Sequence, residues 1–495
     1  MLSMHVDDEK NWKASECTVT EPSTIRRAIS AASIGNVAEW YDFGVYAFFE
    51  PTIQKVFFSN LSHTMGEIAT FGLFAVAFLI RPLGGMFFGP LADRIGRNRV
   101  LAATMILMAL GTFAIGCIPS QESIGILAPL LLLLARLVQG FSTGGEYGSA
   151  MTFIAEYAPD RRRGYLGSWL EFGTFTGYLL GAIVVTVAGV ALSEQQLLDW
   201  GWRLPFFLAL PLGLVGVYLR SQLAETPAFA ALEQEAEDRE KQHRASQTAK
   251  DILGLWPYVL VCMGLALAWN VPNYMLTSYM PTYVTQTLPM MQHSGGISPT
   301  ASQVLQIVVM VLALLAIPLI GRLSDRFGRK PFGLIGSVGL VVLALPMILL
   351  IRSQSEVAVF SGLLIMGLLL ICFSATMPST LPALFPTNIR ASGLSISFNV
   401  SVSLFAGTTS VVVGSLVAYT GDLNWPAYYL MIAGVIGAVS LLVIREPNGT
   451  SMWGSPPAAA SEAEAHDLVQ SPGASHASTG LGIALPVVPT PRQII

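Results

Sequence analysis

About twelve apolar runs occur along this chain, and each is about as long as, or longer than, the roughly 20 residues that a helix needs to cross a bilayer. They lie near 28–58, 67–89, 98–118, 124–157, 164–191, 203–221, 252–286, 300–321, 332–351, 356–385, 390–419 and 425–445. Charged residues make up only 12% of the chain, about half the share of a soluble domain. The sequence therefore excludes a soluble globular protein and predicts an all-α membrane protein with twelve transmembrane helices.

A short motif that follows the second apolar run recurs after the eighth. The first copy is Gly89-Pro-Leu-Ala-Asp-Arg-Ile-Gly-Arg97, and the second is Gly321-Arg-Leu-Ser-Asp-Arg-Phe-Gly-Arg329. The recurrence in the same direction predicts two similar six-helix halves. We expect both copies to close a gate through ion pairs. The gate residues are Gly89, Asp93, Arg94, Gly96 and Arg97 in the first copy, and Asp325, Arg326, Gly328 and Arg329 in the second.

Lys and Arg are distributed unequally between the two sides of the predicted membrane. With twelve spans, 22 of the 27 basic residues fall on the side that holds both termini, which predicts that both termini are cytoplasmic. No signal peptide is expected, so the protein should reside in the cell (inner) membrane. The predicted parts are an N-terminal tail (1–27), an N-terminal bundle (28–221), a linker (222–251), a C-terminal bundle (252–445) and a disordered cytoplasmic tail (446–495).

Away from the ends of the apolar runs, ionisable residues occur only in the N-terminal half. They are Glu39, Asp42, Arg81, Arg136, Glu146 and Glu171. Such residues are costly in hydrocarbon and normally face a cavity or a partner. All six histidines lie in loops or tails, so we expect any proton carrier to be a carboxylate: Glu39, Asp42, Glu146 or Glu171. The alternative for each carboxylate is a structural ion pair within the membrane.

Two spans bring opposite charges to similar depths. Glu39 and Arg81 lie about 18 and 12 Å from the cytoplasmic ends of their spans at about 1.5 Å per residue, so a side-chain pair between them is feasible. The competing interpretation is that Arg81 only extends towards the motif loop.

Several further stretches resemble a known family. The two motif copies resemble the loop motif of the major facilitator superfamily. The segments Gly35–Gly44, Arg81–Gly85, Gly144–Tyr147 and Asp199–Pro205 are similar to its metabolite:proton symporters. Within these, Gly167–Gly173, Leu381–Pro386 and Pro426–Met431 resemble the proline/glycine-betaine:proton symporters. The resemblance covers roughly residues 25 to 447.

The resemblance implies proton-coupled import of a zwitterionic osmolyte by alternating access, with the site between the halves near mid-membrane. The best-known members of that family end in a long helix with heptads that forms a coiled coil. This tail has no heptads, so we expect no coiled coil here.

The residues are compatible with such a substrate. Arg81 or Arg136 can bind a carboxylate through paired N–H groups. Aromatic rings can hold a methylated cation, and the candidates are Trp40, Trp169, Trp269 and Tyr274. Tyr46 and Asn270 complete the predicted substrate contacts, and Asn273 and Asn399 are further polar groups expected on the C-terminal wall.

Other functions stay open at this stage. The main alternative is proton symport of a dicarboxylate, ketoacid or shikimate-like anion. A non-transporting sensor or a channel is a further alternative, although no repeated ring of charges or carbonyls is evident. No metal or cofactor is predicted, since the four cysteines show no ligand spacing. We expect protons, a small molecule and lipid as partners, but no nucleic acid and no enzymatic activity.

Overall fold

Long helices dominate the N-terminal half. The structure is a computed structural model that describes residues 13–14, 17–95, 97–221, 254–293, 296–387, 389–453 and 455–470. A short strand, β1 (Thr18–Val19), precedes the helices α1 (Pro22–Phe48), α2 (Glu50–Phe57), α3 (His63–Leu79), α4 (Arg81–Ile95), α5 (Arg97–Cys117), α6 (Gln121–Ile124), α7 (Leu127–Thr143), α8 (Glu146–Tyr157), α9 (Arg163–Ala191), α10 (Glu194–Gln196) and α11 (Arg203–Ser221). A 3₁₀ turn spans Asp160–Arg162, and a π-helical turn spans Leu197–Gly201.

The C-terminal half is also helical. Its helices are α12 (Trp256–Tyr274), α13 (Met280–Thr282), α14 (Leu288–Gln292), α15 (Pro299–Phe327), α16 (Arg329–Arg352), α17 (Glu356–Ser374), α18 (Met377–Thr380), α19 (Arg390–Ser401), α20 (Thr409–Thr420), α21 (Trp425–Val443) and α22 (Glu462–Gln470), and a second strand, β2 (Ala458–Ala459), precedes α22. Short turns interrupt the longer helices. They are π-helical turns at Met275–Tyr279, Tyr283–Thr287 and Val402–Ala406, and a 3₁₀ turn at Pro382–Leu384.

Helix ends follow local sequence rules. Ser62 and Ser298 cap α3 and α15, because each hydroxyl accepts a hydrogen bond from a backbone N–H in the first turn. Gly328, in the second motif copy, separates α15 from α16 at φ 95°, a conformation that side chains rarely adopt. The motif glycine therefore allows the sharp reversal between two transmembrane helices.

The exposed surface of the helices is apolar. On α7, Leu127, Leu130 and Leu134 are exposed, whereas Leu132 and Ala135 on the same helix are buried. Within the described residues, nine helical stretches are long and apolar enough to cross a membrane. The first helix, α1, is not among them, and it carries the acids Glu39 and Asp42. The pattern is that of helices that contact lipid on one side and each other on the other side.

The helices pack across close small-residue contacts. In the N-terminal half α1 lies along α9, where a Cβ on Gly173 would come within 2.4 Å of the Ser33 carbonyl oxygen and one on Gly177 within 2.6 Å of the Val37 oxygen. Only glycine permits this approach. Across the halves, α9 also packs on α15, so α9 connects the charged face of α1 to the C-terminal bundle.

The C-terminal tail contains ordered structure, in contrast to the predicted disorder. Strand β2 pairs in parallel with β1, with Thr18 opposite Ala458 and Val19 opposite Ala459. Helix α22 then buries Ala465 and Leu468. The prediction is wrong for residues up to 470, because backbone pairing and a short apolar face supply contacts that composition does not reveal. The predicted linker (222–251) and residues 471–495 lie outside the described residues.

We call the face that holds β1 and β2 the terminal face, and the opposite face, where α1 ends and α3 begins, the distal face.

Candidate functional site

A buried ion pair lies between the first and second spans. Arg81 Nη2 is 3.7 Å from Glu39 Oε1, and both side chains are about 1% exposed. The Arg81 guanidinium also lies 4.5 Å from the ring centroid of Phe78 and 4.8 Å from that of Phe43. Neither Arg81 Nε nor Nη2 has a hydrogen-bond partner among the described residues. This arginine therefore keeps two buried N–H groups available for an anionic ligand.

The position of Arg81 depends on two helix breaks. The residue begins α4 directly after α3 ends, beside the break between α7 and α8. A Cβ on Gly144 would lie 2.0 Å from the Arg81 carbonyl oxygen, and one on Gly140 would lie 1.9 Å from that of Ala77. These glycines allow the fourth span to touch the backbone that carries Arg81.

A second acid, Glu171, is held by hydroxyl groups. It accepts hydrogen bonds from the Tyr147 hydroxyl and, at 2.9 Å, from Thr174 Oγ1. Thr174 in turn accepts from Asn36 Nδ2 at 2.6 Å. Asn36 also accepts from Trp40 Nε1 at 3.0 Å. The network joins α1, α8 and α9 around one carboxylate.

Aromatic rings from both halves surround these acids. Trp40 lies 5.9 Å from Tyr147 and 6.4 Å from Tyr274 between ring centroids. Tyr147 stacks on Phe398 at 5.1 Å and lies 6.2 Å from Trp269. Trp269 Nε1 donates to Ser374 Oγ at 3.0 Å. Three of the four predicted aromatic candidates, Trp40, Trp269 and Tyr274, therefore meet at the interface of the two halves.

The fourth candidate, Trp169, lies elsewhere. Its ring contacts Tyr165 and Phe172 of its own helix, at centroid distances of 6.2 and 4.8 Å, and is only partly buried. The prediction that Trp169 belongs to this aromatic group is wrong, because at its position on α9 the side chain points away from the face that carries Glu171. Helical spacing separates residues 169 and 171 by about 200°.

Asp42 and Arg136 belong to a separate network. Thr112 Oγ1 donates to Asp42 Oδ2 at 2.6 Å, and Gln139 Nε2 donates to Thr112 Oγ1 at 2.5 Å. Arg136 Nη1 donates to Gln139 Oε1 at 2.9 Å, and its guanidinium lies 4.1 Å from the Tyr46 ring centroid.

The remaining N–H groups of Arg136 are also engaged. Its Nε and Nη2 donate to the Leu73 and Phe74 carbonyl oxygens at 3.3 and 3.4 Å. The two candidate arginines thus differ, since Arg136 is committed to protein groups and Arg81 is not.

The remaining predicted residues occupy the margins of the site. Glu146 is buried at the start of α8. Asn399 Nδ2 donates across the halves to the Gly144 carbonyl oxygen at 2.6 Å. Asn270 donates to the Ala266 oxygen of its own helix at 3.0 Å. Asn273 Oδ1 is buried without a hydrogen-bond partner among the described residues.

On the terminal face, the second motif copy bridges the halves. The Asp325 carboxylate accepts from the backbone N–H groups of Gly164 and Tyr165 at 2.7 and 2.8 Å, and Arg329 Nη2 lies 3.5 Å away. Its main partner is therefore the N-terminus of α9, which attracts negative charge. A second bridge joins Arg390 Nη1 to Glu156 Oε1 at 2.9 Å.

The structure describes only some of the other predicted gate residues. Arg326 is exposed and lines a cavity of about 560 Å³ beside this contact. For the first motif copy, Gly96 and the side chains of Asp93, Arg94 and Arg97 lie outside the described part of the chain, and Gly89 belongs to α4.

The distal face is closed as well. Thr282 Oγ1 donates to Glu50 Oε2 at 2.5 Å, and Thr287 Oγ1 donates to Glu67 Oε1 at 3.0 Å. Each bond joins the C-terminal half to the N-terminal half. With contacts at both faces, the central residues are enclosed in an occluded conformation.

Sequence reasoning missed several residues that the structure brings into this region: Tyr147, Tyr178, Phe398, Ser374, Glu50 and Glu67. Helical spacing could have identified Tyr178, which follows Glu171 and Thr174 on one face of α9. Glu50 and Glu67 could have been found as acids near the ends of the first two apolar runs. Phe398 and Ser374 give no sequence signal, because apolar and small residues are ordinary in such helices.

Comparison with known proteins agrees with this architecture. The family described as "Sugar (and other) transporter" matches residues 28–445. The glycine betaine/proline/ectoine/pipecolic acid transporter OusA of Dickeya dadantii (strain 3937) is 47% identical over 460 residues, which cover 92% of this chain and 90% of that protein. The proline/betaine transporter of Escherichia coli (strain K12) is 46% identical over 459 residues, with the same shares of each protein.

Solved structures show the same fold. The proton:xylose symporter XylE, a member of the major facilitator superfamily solved with 6-bromo-6-deoxy-D-glucose, superimposes with a TM-score of 0.71 at 18% sequence identity, covering 88% of this chain and 98% of that one. A partially occluded, inward-open form of the xylose transporter gives a TM-score of 0.65 at 19% identity. The predicted fold is confirmed, because the chain shares the fold of these major facilitator structures, and the chain belongs to the sugar (and other) transporter family.

Proposed function

We propose that this protein is a proton-coupled symporter that imports a small zwitterionic osmolyte, glycine betaine or proline, by alternating access. Arg81 carries the proposal, because it holds two unpaired N–H groups in a buried site lined by aromatic rings. The guanidinium suits the substrate carboxylate. Trp40, Tyr147, Trp269 and Tyr274 suit the cationic end. The names of the relatives that are 46–47% identical point to the same substrate class.

The coupling groups are proposed to be carboxylates of the N-terminal half. Glu39 faces Arg81, and Glu171 lies in the hydroxyl network beside Trp40. A proton on Glu39 would weaken its attraction for Arg81 and leave the guanidinium to the substrate. Asp42 and Glu146 are further candidates. This arrangement links proton binding and substrate binding through one arginine.

An organic dianion fits this site less well. Two acids, Glu39 and Glu171, lie at the central interface with Arg81, and Arg136 is committed to protein groups. A dicarboxylate would therefore meet more negative than positive charge, whereas a zwitterion is balanced. We further propose that the terminal face is cytoplasmic and that the protein resides in the inner membrane, in line with the distribution of Lys and Arg.

The test is uptake into proteoliposomes that contain the purified protein. Labelled glycine betaine and proline are expected to accumulate when the pH gradient is inward, and an uncoupler should abolish accumulation. Uptake of labelled ketoglutarate, with neither zwitterion transported, would contradict the substrate assignment.

The coupling assignment has its own test. Glu39→Gln, Asp42→Asn, Glu146→Gln and Glu171→Gln are measured singly for accumulation and for substrate counterflow. At least one variant is expected to lose accumulation and keep counterflow, since exchange needs no net proton movement. If all four still accumulate substrate in an uncoupler-sensitive way, these carboxylates do not carry the proton.

A further inference from the structure

Two acids that the central site does not include are buried together at the distal face. Glu50 begins α2, and Glu67 lies in the second turn of α3; they are 2% and 5% exposed. The two are close enough for their charges to interact. Each is bonded across the interface to a threonine of the C-terminal half, Thr282 or Thr287. They therefore lie where the distal gate closes.

The pair has little compensating positive charge. Within the described residues, the only basic group in ion-pair range is His63, whose Nδ1 lies 3.9 Å from Glu67 Oε2 and whose side chain is half-exposed. Two neighbouring carboxylates in such an environment cannot both stay ionised at low cost. Closure of the gate therefore favours a proton on the pair.

One oxygen is available for that proton. Thr282 donates to Glu50 Oε2, whereas Glu50 Oε1 is buried with no hydrogen-bond partner among the described residues. The Tyr279 hydroxyl at the same face is also buried and has no hydrogen-bond partner among the described residues. A buried carboxylate oxygen that accepts no hydrogen bond is a favourable position for a proton, because the proton compensates for the missing hydrogen bond.

The acids also line up with the interior network. Asp42, Tyr46 and Glu50 follow one another at intervals of four residues, so they share one side of the first span. Tyr46 lies under the Arg136 guanidinium, and Arg136 connects through Gln139 and Thr112 to Asp42. A polar stripe thus runs from the distal face to a candidate coupling acid.

We propose that Glu50 and Glu67 form the proton-loading site of the transporter, the first acceptor of the co-transported proton on the distal side. This inference rests on the proposed proton-coupled function. In the open state the pair is wetted and takes a proton from outside. Once a proton has neutralised the pair, Glu50 and Glu67 accept the hydrogen bonds from the two threonines and the distal gate closes. The bound proton can then move only inward. The site thereby couples distal closure to proton occupancy.

Other titratable groups on the elements packed around the pair are few. The titratable groups that face the Glu50–Glu67 pair or the helices that carry it are Tyr46 on α1, His63 on α3, Arg136 on α7, and Tyr279 and Tyr283 on the π-helical turns. On the solvent side, Lys55 pairs with Glu194 at 2.7 Å, and Glu122 and Asp199 are exposed. The His63 imidazole lies within ion-pair range of Glu67, so His63→Gln is included in the test.

The experiment uses the full-length protein in proteoliposomes, with glycine betaine as substrate. Glu50→Gln, Glu67→Gln and the double variant are compared with Glu194→Gln, an exposed acid on the same face. The double variant is expected to lose most of the accumulation driven by a pH gradient, because neither position can then carry a proton. It should retain counterflow, and its initial uptake rate should no longer depend on external pH. Glu194→Gln should behave as wild type.

Further arms separate the alternatives. Glu50→Asp and Glu67→Asp keep a carboxylate, so they should retain coupling with a shifted external pH profile; they also serve if the Gln variants fail to fold. Wild-type accumulation with an unchanged pH profile in the double variant, or loss of coupling in both Asp variants, would overturn the proposal. So would loss of the external pH dependence in His63→Gln alone. Dependence of accumulation on external sodium would make the pair a sodium site. If the wild type transports no zwitterion, the proposed function fails instead.

Discussion

At the scale of single residues, the structure separates two arginines that the sequence could not distinguish. Arg136 donates to Gln139 and to two backbone carbonyl oxygens, so its charge and geometry support the bundle. Arg81 makes one long ion pair, with Glu39, and retains unpaired N–H groups. A buried donor without a partner is costly, and at an interface between moving halves it indicates a ligand site.

Arg81→Gln is expected to weaken binding of glycine betaine and proline alike. A hydrogen bond to a charged group contributes about 1.5–3 kcal/mol, which corresponds to roughly 10–150-fold in Kd. Binding to the purified variants is the measurement. The matched control is Arg203→Gln, because Arg203 lies away from the site, where it donates to the Gly116 and Ile118 carbonyl oxygens and contacts the Trp202 ring. Equal losses in both variants would mean that Arg81 has a structural role.

Trp269→Leu is expected to cost glycine betaine more than proline. A desolvated methylated ammonium over an aromatic ring gains about 2 kcal/mol, about 30-fold in affinity, whereas the proline nitrogen keeps its own hydrogen-bond donors. Trp169→Leu is the control, since that ring lies outside the aromatic group. The ratio of the two Kd values is compared between variants. An unchanged ratio in Trp269→Leu would indicate that its indole only packs.

At the scale of elements, interruptions of the helices build the site. The second span breaks at Arg81 and the fourth at Gly144 and Gly145, and the breaks meet where a Cβ would overlap the Arg81 carbonyl oxygen. Glycine at these positions therefore serves close approach as well as local backbone freedom.

Gly144→Ala is expected to destabilise the protein and to displace Arg81. The added Cβ would lie 2.0 Å from a backbone oxygen, and overpacking of this kind costs roughly 1–3 kcal/mol or more. Thermal unfolding in detergent gives the change in stability, and substrate binding gives the effect on the site. Gly189→Ala on α9 is the control, because its Cβ would meet no atom within 4 Å. Matching melting temperatures would contradict the packing argument.

At the scale of the whole molecule, the C-terminal tail after residue 445 contacts both halves at the terminal face. Residues of the tail contact the N-terminal half through β1 and through a 2.7 Å ion pair between Asp467 and Arg161. They contact the C-terminal half where Glu446 accepts from the Arg329 N–H and where Trp453 accepts from Arg390 Nη2. One segment thus bridges both halves beside the Asp325 contact, and it must rearrange for that face to open.

Truncation after Asn448 is expected to shift the protein towards a state open at the terminal face, since it removes the strand pairing and the Asp467 ion pair. Cysteines placed in the terminal-face contact report the shift by faster labelling with a thiol reagent. Truncation after Gln470 is the matched control, because it preserves every tail contact described above. Identical labelling of both truncated proteins would show that the tail does not restrain the gate.

The sequence by itself determined the class and the duplicated plan of the protein. Apolar run length is a direct consequence of bilayer thickness, so most of the spans follow from hydropathy. Helix α1, which carries Glu39 and Asp42, is not among the nine stretches that length and hydropathy identify within the described residues. The cost of charge in hydrocarbon singled out Glu39, Asp42, Arg81, Arg136, Glu146 and Glu171 without any coordinates. Motif residues at helix ends, such as Gly328, were predictable because they meet local backbone requirements.

Tertiary structure alone decided which of those groups meet. The roles of Arg81 and Arg136 depend on carbonyl oxygens of neighbouring helices, and carbonyl positions have no signature in the side-chain sequence. Helical spacing already places Trp169 and Glu171 on different faces of α9, but which of the two faces turns to the interface depends on a helix rotation that the sequence leaves open. The order of residues 446–470 depends on pairing with a strand more than 400 positions earlier. Contacts between distant segments are set by packing geometry, and local sequence patterns carry little information about that geometry.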